Sequence, residues 1–82
     1  LQWFRNPFEG DSIMAQVDGV TVRIGDWVGF KSDIEQSGRI VAIKQTYAGT
    51  SLTLENECGF SGDYIGGDTI TTELARDCWI DG

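Results

Sequence analysis

From Val20 to Glu55 the apolar residues fall at alternate positions in short stretches, each ended by a glycine or a polar turn. Alternation with period two places side chains on opposite faces of an extended strand. It therefore dictates β-structure and excludes an amphipathic helix, whose apolar positions recur every three or four residues. Val20, Val22 and Ile24 alternate with Thr21 and Arg23, and Gly25-Asp26 breaks the run. Trp27 to Lys31 resumes it with Val28 and Phe30 in phase, and Gly29 between them marks a bend or a close approach by a neighbouring chain. The polar stretch Ser32 to Ser37 reads as a loop. After Gly38, the β-branched run Arg39 to Lys44 predicts a central strand. Tyr47-Ala48-Gly49-Thr50 predicts a hairpin turn, and Ser51 to Glu55 a strand with Leu52 and Leu54 inward.

Beyond Glu55 the pattern is less regular. Residues 59 to 68 hold four glycines and predict a long loop, with a β-like patch at Tyr64-Ile65. Thr69 to Thr72 predicts a strand. Glu73 to Asp77 leaves room for a single helical turn before an extended, buried Cys78-Trp79-Ile80. With 82 residues there is space for one small core only, of about 4–12 kcal/mol net stability. At the other end, residues 1–13 show neither strand alternation nor helix spacing and hold the only proline. They are expected to be an N-terminal arm or an appended segment, with residues 14–82 as the domain. If native, the arm would anchor in a groove through Trp3, Phe4 and Phe8.

Charge restricts the partners. Six basic residues against 13 acidic ones give a net charge of −7 without any basic run. Nucleic acid is therefore not expected as a partner, because affinity for a phosphate backbone comes from cations displacing counterions. No apolar stretch approaches a membrane span, and the N-terminus lacks the charged-then-apolar order of a signal peptide, so no membrane partner is expected and the location is read as cytoplasmic. Cys58 and Cys78 form no Cys-x-x-Cys pair and the chain has no histidine. Both thiols are expected to be reduced, and no structural zinc is expected.

The absence of histidine also removes Ser-His and Cys-His nucleophilic pairs within the chain. The glycine spacing at residues 59 to 67 is not followed by Lys-Ser or Lys-Thr and opens no long helix, so it is turn chemistry rather than a phosphate loop. Glu55, Glu57, Asp63 and Asp68 lack the Asp-x-Asp-x-Asp-Gly order of a calcium loop. The chain is expected to be non-catalytic, with no cofactor and no metal.

The order Val22-Arg23-Ile24-Gly25-Asp26-Trp27-Val28, a polar loop, then Gly38-Arg39-Ile40-Val41-Ala42-Ile43 resembles the opening of small SH3-like β-barrels of the KOW and Tudor kind. Leu52-Thr53-Leu54-Glu55 and the terminal helical turn with its closing strand follow the order in which such barrels end. The chain also resembles small phage and mobile-element proteins. The resemblance implies an all-β fold: a single SH3-like barrel of about five strands, with a glycine-rich loop and one short helical turn before the last strand. Tudor-type barrels capture cations in an aromatic cage, for which Trp27, Tyr47, Phe60, Tyr64 and Trp79 offer ring faces. Phe30 and Trp79, and on balance Trp27, are expected in the core.

The expected function is a protein-interaction module of unknown partner, with modulation of a host factor as one role, Tyr47, Phe60, Asp63, Tyr64 and Asp68 as binding residues, and a homo-oligomer as a further option. Two alternatives stand beside it. One is a small-molecule-binding or catalytic barrel whose site forms between subunits; the other is a structural component of a virus particle.

Overall fold

A computed structural model describes residues 10–32, 34–60 and 68–80. Its strands are β1 (Gly10–Ser12), β2 (Met14–Val17), β3 (Val20–Arg23), β4 (Trp27–Ser32), β5 (Ile34–Thr46), β6 (Gly49–Glu55), β7 (Ile70–Leu74) and β8 (Trp79–Ile80). A single 3-10 turn, Ala75–Asp77, precedes β8, and no α-helix occurs among the described residues. The fold is all-β and every pairing is antiparallel.

β5 is the spine. Its first half pairs with β4, from Ser32↔Ile34 to Trp27↔Arg39. Its second half pairs with β1 on that side and with β6 on the other. A register shift between Ile40 and Ala42 lets the long strand bend between its two sets of partners. The sheet runs β7-β6-β5-β4-β8, so its two edge strands are adjacent in sequence and joined only by residues 75–78. So short a link holds opposite edges within reach of one another, which requires a strongly curled sheet. The curl stops short of a closed barrel: no pairing joins β7 to β8 among the described residues.

β2 and β3 form a separate hairpin around Asp18-Gly19, with φ of 54° and 75°. These are the positive dihedrals of a type I′ turn, whose twist matches the flanking strands. Gly25-Asp26 then leads into β4. Asp26 Oδ2 accepts from Arg23 N at 2.9 Å, while Gly25 N donates to Ile40 O and Ile40 N to Asp26 O, both at 2.8 Å. This turn ties the hairpin to the bend in β5.

The core lies between hairpin and sheet. It contains Ala15, Val17 and Val22 from the hairpin, Val28 and Phe30 from β4, Ile40 and Ile43 from β5, Leu52 and Leu54 from β6, and Phe60, Ala75 and Cys78. Phe30 and Phe60 meet edge to face, with ring centroids 5.4 Å apart.

Several expectations need correction. Residues 34–37, expected as part of a polar loop, are instead the start of β5. Gly10–Ser12, expected as arm, pairs with Gln45, Lys44 and Ile43 and belongs to the sheet. Val20 and Ile24 share the alternation of Val22 yet are half exposed, because the hairpin covers the sheet only at its centre. Trp79 is not enclosed in the core. It lies on the opposite face of the sheet over Gly29, where a Cβ would sit 2.6 Å from its indole Cε2. The close approach expected at Gly29 is thus a tryptophan from within the same chain.

Candidate functional site

Alternation along β4 sends Val28 and Phe30 to the core and Trp27 and Gly29 to the outer face. Cross-strand register extends that outer row: Trp27 stands opposite Arg39, and Arg39 opposite Glu55. Arg39 Nη2 donates to Glu55 Oε1 at 2.7 Å, and this is the one ion pair among the described residues. Both side chains are substantially exposed, so the pair contributes little to stability, but it fixes the floor beside the indole.

Trp27 is 45% exposed and lines two clefts. The first, of about 350 Å³, is mainly apolar and runs between Val20 and Val22 of the hairpin and Ile80 of β8, with Asp26 at its rim. The second, of about 280 Å³, is bounded by the charged and polar residues Arg39, Glu55, Asn56 and Glu57, with Cys58 beside them. Its wall is built by the turn after β6. Asn56 Oδ1 accepts from Cys58 N at 3.0 Å, and Asn56 Nδ2 donates to Ser37 O at 3.1 Å. Asn56 O accepts from Gly59 N at 2.9 Å, and Gly59 has φ of 85°.

The residues expected to bind a partner are dispersed. Tyr47 is 71% exposed at the tip of the β5–β6 turn, flanked by the Thr46↔Gly49 pair. That turn is held by Thr46 Oγ1 donating to Gly49 O at 2.8 Å and by Arg76 Nη1 donating to Ala48 O at 3.1 Å. Phe60 requires correction: at 2% exposure it is a core residue, enclosed by Phe30 and by Gly38, and it offers no face to a partner. A Cβ on Gly38 would lie 3.0 Å from the Phe60 ring and 2.9 Å from Leu54 Cβ, so the missing side chain is the space Phe60 fills. Asp68 is exposed, and its carbonyl accepts from Phe60 N at 2.8 Å. Asp63 and Tyr64, like Trp3, Phe4 and Phe8, lie outside the described residues.

The two thiols differ in setting. Cys58 is exposed at the second cleft, whereas Cys78 is buried and its Sγ donates to Leu74 O at 3.4 Å. Both are free. Burial, with the carboxylates of Glu73 and Asp77 adding to it, pushes the Cys78 thiol up to about 12, so it stays protonated and unreactive. Among the described residues no three His, Cys, Asp or Glu side chains gather as a metal site, and no helix is long and apolar enough to cross a membrane.

Sequence reasoning placed Trp27 in the core and missed its position between two clefts. The available signal was the Gly25-Asp26 turn, which puts Trp27 at the first residue of a strand, where cover from neighbouring strands ends. No protein-family model, no curated protein and no solved structure matches this chain.

Proposed function

We propose that this chain is a non-catalytic protein-interaction module of the small SH3-like type, and that its partner seats an extended, basic and apolar segment across Trp27. The observation that carries this reading is the half-exposed indole shared by two clefts, one walled by the aliphatic Val20, Val22 and Ile80 and the other by the charged Arg39, Glu55 and Glu57. Tryptophan concentrates binding energy where it can be desolvated within a rim of weaker contacts. An aliphatic side chain fits the cleft of Val20, Val22 and Ile80, and a lysine or arginine beside it reaches Glu57 and the indole face. The net charge of −7 favours such a partner and disfavours a polyanion. The SH3-like assignment draws on the β4-β5-β6 meander, the 3-10 turn and the short final strand returning to β4.

The test is a displayed-peptide selection on the intact chain, with counter-selection on Trp27→Ala. The expected result is enrichment of peptides that combine an aliphatic or aromatic residue with adjacent lysine or arginine, and that lose binding to Trp27→Ala. Failure to enrich any sequence class, or equal binding to both proteins, contradicts the proposal.

A further inference from the structure

β7 pairs with β6 on one side and, among the described residues, with no strand on the other. Register reveals which of its backbone groups point outward. Asn56 N donates to Thr69 O at 3.0 Å, one step beyond the Glu55↔Ile70 pair, and so marks a hydrogen-bonded position. Antiparallel pairs alternate in type, which makes Leu54↔Thr71 and Leu52↔Glu73 the next hydrogen-bonded positions. The N–H and C=O groups of Ile70, Thr72 and Leu74 therefore face away from β6.

Proteins blunt such an edge with lysine, proline, a bulge or extreme shortness. The opposite edge is blunted in the last way, since β8 has only two residues. β7 is the five-residue strand Ile-Thr-Thr-Glu-Leu, with no lysine or proline, and it pairs with β6 without a bulge. Ile70 is 46% exposed, and the Thr72 side chain is exposed as well.

The strand is matched to itself. A two-fold axis at Thr72 sets Thr72 against Thr72, Ile70 against Leu74 and Thr71 against Glu73 of a second copy. All three outward-facing residues then occupy hydrogen-bonded positions, so the outward N–H and C=O groups of Ile70 and Thr72 and the N–H of Leu74 find partners; the Leu74 carbonyl already accepts from Cys78 Sγ at 3.4 Å and would take a second hydrogen bond. Ile70 meets a leucine on one face. On the other face Glu73 meets a threonine hydroxyl, a pairing already made within the chain, where Thr71 Oγ1 donates to Glu73 Oε2 at 2.9 Å. An axis at Thr71 leaves Leu74 unpaired, and an axis at Glu73 opposes two carboxylates. Only Thr72 satisfies the strand completely.

We propose that the chain forms a homodimer by antiparallel pairing of β7 with β7 of a second copy about Thr72, joining the two sheets into one. This contact does not depend on any partner at Trp27. It is tested by sedimentation equilibrium of the full chain, of Thr72→Pro and of Thr72→Lys, with circular dichroism as the check on folding. Both substitutions leave the β6 ladder intact, because the Thr72 N–H points away from it and the side chain is exposed. The expected result is a wild-type mass of two chains of 9.0 kDa each, and association about tenfold to a hundredfold weaker in both variants. A wild type that remains a single chain into the millimolar range, or variants that dimerise as tightly as wild type, overturns the proposal. Should Thr72→Pro unfold, Thr72→Lys decides between these outcomes.

Discussion

The two faces of the sheet use the same device to different ends. On the inner face Phe60 packs over Gly38; on the outer face Trp79 packs over Gly29. In each case an aromatic ring occupies the space of a missing Cβ on adjacent strands, since Val28 is the register partner of Gly38 and Ser37 that of Gly29. Phe60 is enclosed, whereas Trp79 keeps one side to solvent. The ring alone does not decide whether an aromatic becomes core or surface. Cover does: the hairpin β2–β3 lies over the inner face, and no described element lies over the outer one. Stability is accordingly concentrated within, while Trp27 and its cleft with Arg39 and Glu55 lie without; the aliphatic cleft of Val20, Val22 and Ile80 opens at the margin between hairpin and sheet.

The sharpest way to break this comparison is Phe60→Ala. Removing a fully buried phenylalanine costs about 3–5 kcal/mol, a large share of the ~4–12 kcal/mol available to a chain this size. Denaturant unfolding of the variant is expected to show a largely lost transition, and a loss below about 1 kcal/mol would return Phe60 to the surface.

Next in size is the glycine pair. Gly38→Ala drives a methyl against Leu54 Cβ and the Phe60 ring in an enclosed space, with an expected loss of about 1–3 kcal/mol. At Gly29 the same methyl meets an indole that can swing into solvent. Gly29→Ala is expected to cost less than Gly38→Ala and to shift tryptophan emission to the red. Equal losses without a spectral change would contradict the difference in cover.

The cysteines repeat the contrast more weakly. The folded state holds the Cys78 thiol neutral to about pH 12, whereas an unfolded chain releases that proton near 9.0. Between those values the unfolded state binds fewer protons, so stability falls as pH rises from about 9 to 12 and is unaffected below that window. Urea midpoints across this range are expected to decline less steeply in Cys78→Ala, because the other titrating groups remain in both proteins. Identical slopes would place Cys78 in contact with water.

How much of this was legible in the sequence follows from the same geometry. The alternation of Val28, Phe30, Leu52 and Leu54 reports the inner face directly, because period two is what a half-buried strand writes. Phe60 was hidden because it has no periodic neighbours; its partner is Gly38, distant in sequence and silent in composition. Residues 35–37 are polar and Ile34 is exposed because that part of β5 sits on exposed sheet, so composition suggested a loop where the register with β4 makes a strand. The hairpin β2–β3 carried a readable signal in Asp18-Gly19, but Ala15 and Gln16 gave weak alternation beside it. Trp79 read as core through its neighbours Cys78 and Ile80, although adjacent strand residues face opposite ways. Of the binding residues expected, only exposed Tyr47 and Asp68 can be placed on the surface, and they do not share a cleft with Trp27.

The central proposal is that recognition resides at Trp27 and that the stability of the fold does not. It is tested most directly by titrating a selected basic and apolar peptide into wild type, Trp27→Ala and Tyr47→Ala, with the melting temperature of each measured alongside. The account predicts that Trp27→Ala loses peptide binding while its melting temperature stays close to wild type, and that Tyr47→Ala changes neither. Binding retained in Trp27→Ala, or a collapse of its melting temperature, would contradict it.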